Sequence, residues 1–85
     1  MFAGTEHLIT VKAPESLVGA FIDQYGKRIM ITSEEGGKVR IKFTAVPSPI
    51  LLGWLVGLRD VEVLEPAKVR EDMIQILKNN MACYE

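Results

Sequence analysis

The sequence predicts an α+β domain, and three observations predict it. Short segments of strict apolar–polar alternation mark strands, while apolar residues at three- and four-residue spacing mark helices between them. A single glycine-rich turn joins two of the strands directly. At 85 residues with 48% hydrophobic composition, the chain suits one domain with its own core.

The elements follow in order. Leu8-Ile9-Thr10-Val11-Lys12 alternates, so it reads as a strand with Ile9 and Val11 on one face. Pro14 opens a helix to about Tyr25, with Leu17, Val18, Phe21, Ile22 and Tyr25 on one stripe and Gly26 at its C-terminal cap. Arg28 to Thr32 is a second strand, and Glu35-Gly36-Gly37-Lys38 is a hairpin turn. In the third strand Val39, Ile41, Phe43 and Ala45 alternate with Lys38, Arg40, Lys42 and Thr44.

Ser48-Pro49 is an N-cap followed by proline at the first helical position, so a second helix runs from there to about Leu58. Val61 to Leu64 is a short fourth strand. Pro66 opens a last helix with Val69, Met73, Ile76, Leu77 and Tyr84 on one side. The order β-α-β-β-α-β is that of ferredoxin-like domains, here with a four-stranded antiparallel sheet and an additional C-terminal helix. Right-handed crossovers place the first two helices on one sheet face and leave the other open.

Strand parity identifies the open face. Ile9, Val11, Ile29, Ile31, Val39, Ile41, Phe43, Val61 and Val63 should point at the helices. Lys12, Arg28, Met30, Lys38, Arg40, Lys42, Glu62 and Leu64 should point away. Lys12, Arg28, Lys38, Arg40 and Lys42 make that face locally positive, able to dock phosphates, carboxylates or an acidic partner domain. The plainer alternative is a solvated face whose lysines discourage edge-to-edge association.

The second helix is apolar nearly all round: Ile50, Leu51, Leu52, Trp54, Leu55, Val56 and Leu58, with Gly53 and Gly57 leaving a smooth strip. Either its own chain covers it, or Leu51, Trp54 and Leu55 form an interface with a partner.

Enzymatic and metal chemistry find no support. His7 is the only histidine and has no second ligand at metal spacing. Ser48 reads as a cap, with no base at hand to make it a nucleophile. Cys83, the only cysteine, reads as a packing residue and excludes an internal disulfide. The formal net charge of −1 argues against a surface built wholly for nucleic acid. A base-stacking platform finds no support either, because Phe43 shares the parity of the core residues. The expectation is a chain that is not an enzyme and needs no cofactor. With no signal peptide and no apolar run near the roughly 20 residues of a membrane span, its expected place is the cytoplasm, away from the membrane.

The last third of the chain carries a resemblance. Gly53-Trp54-Leu55-Val56-Gly57-Leu58, then Val61-Glu62-Val63-Leu64-Glu65-Pro66 and Val69-Arg70-Glu71, resembles the C-terminal extension, or WCX domain, of bacterial transcriptional regulators that contain a WYL domain. Phe21-Ile22-Asp23-Gln24-Tyr25-Gly26 is similar too, and Met1-Phe2-Ala3-Gly4 resembles the junction that follows the WYL domain. The resemblance implies that residues 1–85 are a single regulatory domain from the end of a larger protein. It further implies an accessory, dimerising role in transcription regulation, with a second copy and the parent's own WYL and DNA-binding helix-turn-helix domains as partners, and an anionic or nucleic-acid effector in the parent. The Trp-Tyr-Leu motif itself is absent, since Leu55 follows Trp54, and so is a helix-turn-helix. A competing reading is an amino-acid-sensing domain of the ACT type, which shares the element order. Its glycine-bearing loop after the first strand would here be Ala13-Pro14-Glu15-Ser16, a poor match.

Overall fold

A computed structural model describes residues 5–85, so the opening Met1–Gly4 segment lies outside the described residues. The elements are β1 (His7–Pro14), α1 (Val18–Tyr25), β2 (Met30–Ser33), β3 (Lys38–Ala45), α2 (Pro49–Gly57), β4 (Glu62–Glu65) and α3 (Ala67–Ala82). Short 3-10 turns occupy Glu15–Leu17, Gly26–Arg28 and Glu35–Gly37. The four strands form one antiparallel sheet in the order β2-β3-β1-β4, which is the ferredoxin-like arrangement followed by an added helix.

The alternation in β1 and β3 decides where the core lies. Ile9, Val11 and Ala13 stand opposite Phe43, Ile41 and Val39 across the ladder, and all six are buried. They pack with Val63 of β4, Phe21 of α1, Leu51, Leu52 and Leu55 of α2, and Val69 and Met73 of α3 in one cluster. All three helices therefore contribute to the core on the same side of the sheet. An aromatic group anchors it. Phe21 packs on Phe43 with ring centroids 5.5 Å apart and meets Trp54 edge-on at 5.2 Å. Tyr25 stacks on Phe43 at 4.7 Å, and burial pushes its hydroxyl above the usual tyrosine range.

Local chemistry sets the ends of the elements. The Ser48 hydroxyl accepts from the Leu51 amide at 3.2 Å, capping α2 as its position before Pro49 predicts. Gly26, Gly36 and Gly37 adopt positive φ, the first ending α1 and the other two turning β2 into β3.

Four expectations need correction. Helix α1 starts four residues after Pro14, because β1 runs on through that proline and a 3-10 turn intervenes. Arg28 belongs to the 3-10 turn after Gly26, so β2 begins only at Met30. The stripe on α3 is only partly used: Val69 and Met73 are buried and Ile76 half-buried, whereas Leu77 is exposed and the helix ends at Ala82, before the exposed Tyr84. Likewise Ile31, on the edge strand, remains substantially exposed although it has core parity.

Candidate functional site: a basic face on the central strands

The sheet face away from the helices is built from the two central strands. On β3 the outward residues are Lys38, Arg40, Lys42 and Thr44; on β1 they are Leu8, Thr10 and Lys12. Register brings the cations together. Lys12 stands directly opposite Arg40, Lys42 opposite Thr10, and Lys38 opposite Pro14 at the end of the ladder. Directly opposed residues hold their Cβ atoms about 4.5–5.5 Å apart, so Lys12 and Arg40 are close neighbours of like charge. Lys12 and Lys42 are half-buried and Arg40 is exposed. Between them Thr10 is only 3% exposed.

Two carboxylates border this group. Glu34 accepts from Arg40 Nη2 at 3.2 Å. On the other side Glu62 stands opposite Lys12 on β4. Its carboxylate accepts from Arg70 Nη1 at 2.8 Å, and that hydrogen bond, with the positive charges of Arg70, Lys12 and Lys38, holds Glu62 below the usual glutamate range. Lys12, Lys38 and Lys42 themselves have no carboxylate within ion-pairing distance among the described residues. The row across the sheet thus reads Thr32, Arg40, Lys12, Glu62. Exposed Met30 and Leu8 lie on the same face beside the charges. Such an array offers charge-assisted hydrogen bonds to phosphate or carboxylate oxygens beside apolar contact area.

Four of the five cations expected on this face are gathered there: Lys12, Lys38, Arg40 and Lys42. Arg28 is not. It lies in the turn before β2 and lines a cavity of about 520 Å³ with Glu6, Gln24, Tyr25, Phe43 and Thr44.

The three α2 residues considered for an interface are placed differently. Leu51 and Leu55 are buried in the core, so the folded chain does not offer them to a partner. Trp54 is half-buried against Phe21 and Tyr25. The exposed apolar residues of α2 are Ile50 and Val56. A second cavity of about 280 Å³, lined by Gln24, Tyr25, Ile50, Leu51 and Trp54 among others, lies beside this helix. Sequence periodicity did not reveal it, because it depends on how α1 and α2 come together.

His7 and Cys83 are both exposed. Among the described residues no three His, Cys, Asp or Glu side chains lie together in a way that could hold a metal ion, and no helix is long and apolar enough to cross a membrane. The chain matches the family model of the WCX domain over residues 5–80. A comparison with curated proteins finds no match.

Proposed function

Since this chain belongs to the WCX domain family, we propose that it is the accessory regulatory domain of a WYL-type transcription regulator. In this reading it reads no DNA and catalyses no reaction. It contributes to assembly of the parent protein and to its effector response, working in the cytoplasm of a bacterium beside the parent's WYL and helix-turn-helix domains. The basic sheet face is where it meets an anionic effector or an acidic surface of its parent.

The observation that carries the proposal is the Lys12–Arg40 pair. Like charges set directly opposite each other on neighbouring strands are destabilising, by roughly 0.2–1 kcal/mol. A sheet face that only needed solvation could place a threonine at either position. Holding two cations there, with Lys42 and Lys38 on the same strand face, gives a positive surface on a chain whose formal net charge is −1.

The test is the double substitution Arg40→Glu, Lys42→Glu in the full-length regulator. Effector-dependent DNA binding and solution mass should both be measured. The proposal expects the effector response or the assembly to change. If both stayed as in the unsubstituted regulator while the protein remained folded, the face would have no regulatory part.

A further inference from the structure

Gln24 and Tyr25, at the end of α1, line two cavities at once. The larger, of about 520 Å³, is completed by Glu6, Arg28, Phe43 and Thr44. The smaller, of about 280 Å³, is completed mainly by Val46, Ile50, Leu51 and Trp54. The topology gathers these residues, because β1 starts, α1 and β3 end and α2 starts at the same end of the domain.

The two cavities differ in chemistry. The larger carries a carboxylate and a guanidinium. Neither Glu6 nor Arg28 forms an ion pair or a side-chain hydrogen bond among the described residues. The smaller is walled mostly by apolar side chains, and Ile50 among them is exposed. Polar groups without partners lie where the cavities share a wall. The Tyr25 hydroxyl and the Gln24 amide make no hydrogen bond among the described residues, and neither does the Trp54 indole N–H. Packing on Phe43 and Trp54 needs only the Tyr25 ring, so a phenylalanine would serve the core without desolvating a hydroxyl. Burial holds that hydroxyl above the usual tyrosine range, so it stays protonated and able to donate. Apolar walls with a few convergent polar groups are how proteins hold small molecules.

These features select a ligand class. Opposite charges on one cavity match a molecule that carries both an ammonium and a carboxylate, and suit a plain anion or cation less well. The apolar cavity beside them accepts a hydrocarbon side chain. We propose that the paired cavities bind a free α-amino acid with an apolar side chain, its carboxylate on Arg28, its ammonium on Glu6 and its side chain across Tyr25 toward Ile50 and Trp54. The site uses none of Lys12, Lys38, Arg40 and Lys42, so it is independent of the role proposed for the sheet face. The loop from Ala13 to Ser16, where the ACT reading would place a ligand, lines neither cavity.

Trp54 is the only tryptophan in the chain, so its fluorescence reports on the site directly. The experiment titrates the 85-residue chain with L-leucine and L-phenylalanine, read by Trp54 fluorescence and by calorimetry. Both should bind saturably at millimolar concentration or below. N-acetyl-leucine lacks the ammonium and leucine methyl ester lacks the carboxylate, and each should bind about tenfold more weakly than leucine. Arg28→Gln should weaken leucine about tenfold while leaving leucine methyl ester where it was. Glu6→Gln should do the same to leucine while leaving N-acetyl-leucine where it was. Both side chains are exposed, so neither substitution threatens the fold. No saturable binding of either amino acid at millimolar concentration overturns the proposal. Binding that N-acetyl-leucine methyl ester reproduces, or that Arg28→Gln and Glu6→Gln leave unchanged, also overturns it. The sheet-face reading stands in either case, since it is tested on other residues.

Discussion

Lys12 and Arg40 face each other across the β1–β3 ladder, each backed by a carboxylate on its far side. Glu62 stands beside Lys12, and Glu34 accepts a hydrogen bond from Arg40. The two carboxylates limit the repulsion without removing the positive character of the face, because Lys42 and Lys38 add to it. That relationship gives the first prediction. Replacing Lys12 by threonine should leave the stability within about 0.5 kcal/mol, as the repulsion with Arg40 and the attraction to Glu62 are lost together and a β-branched residue enters a central strand. Thermal unfolding followed by circular dichroism checks it. A clear loss of stability would mean that the Lys12 stem matters more for packing than its charge does for repulsion.

Arg70 ties α3 to the edge of the sheet. Arg70→Ala removes the hydrogen bonds to Glu62 and to the Val63 carbonyl, both at a partly exposed site, and should cost about 1 kcal/mol. Arg70→Lys should recover only part of it, since an ammonium lacks the planar fork of the guanidinium. Denaturant titration of the three proteins would show the order, and equal midpoints would contradict it.

The same contact sets a pH dependence. Arg70 holds Glu62 below the usual glutamate range, so the unfolded chain takes up this proton before the folded one does. The stabilisation is complete above the unfolded value and is lost as pH falls through the lower folded value. Glu62→Gln should therefore lower stability near neutral pH and flatten its acid dependence in the window just below the ordinary glutamate pKa. Stability profiles of the two proteins that remained parallel through that window would disprove the linkage.

Burial separates the two halves of the α3 stripe from the aromatic group. Phe21, fully buried between Phe43 and Trp54, should cost about 3–5 kcal/mol on substitution by alanine, enough to unfold a domain of this size. Leu77→Ala and Tyr84→Ala should each fall within about 0.5 kcal/mol of the parent chain, because both side chains are exposed. Circular dichroism at a single temperature distinguishes these cases.

Much of this fold was legible in local pattern. Alternation in residues 8–12 and 38–45 predicted β1, β3 and their buried faces, and Ser48-Pro49 located the start of α2 within a residue. The same parity placed Lys12, Lys38, Arg40 and Lys42 on one face. What escaped depended on contacts between distant segments or on the ends of elements. Arg28 looked like strand, but the turn after Gly26 carries the backbone past it before β2 begins. Leu77 shares a helical stripe with Val69 and Met73, yet α3 continues past the surface that could cover it, and Tyr84 lies beyond the end of the helix at Ala82. Periodicity says which side of a helix is apolar and not how far its neighbour extends. The apolar girth of α2 was visible, whereas the burial of Leu51 and Leu55 within the chain came only with the packing of α1 and α3 beside it.

The proposed role rests on an anion preference of the basic face of β1 and β3. Its most direct test is amide chemical-shift mapping of the isolated domain titrated with pyrophosphate, followed by the same titration at raised salt. Salt-sensitive shifts centred on Thr10, Lys12, Arg40 and Lys42 are expected, all lost in the Arg40→Glu, Lys42→Glu protein. Shifts centred instead on the cavity lined by Tyr25, Ile50 and Trp54, or none at the sheet, would contradict it.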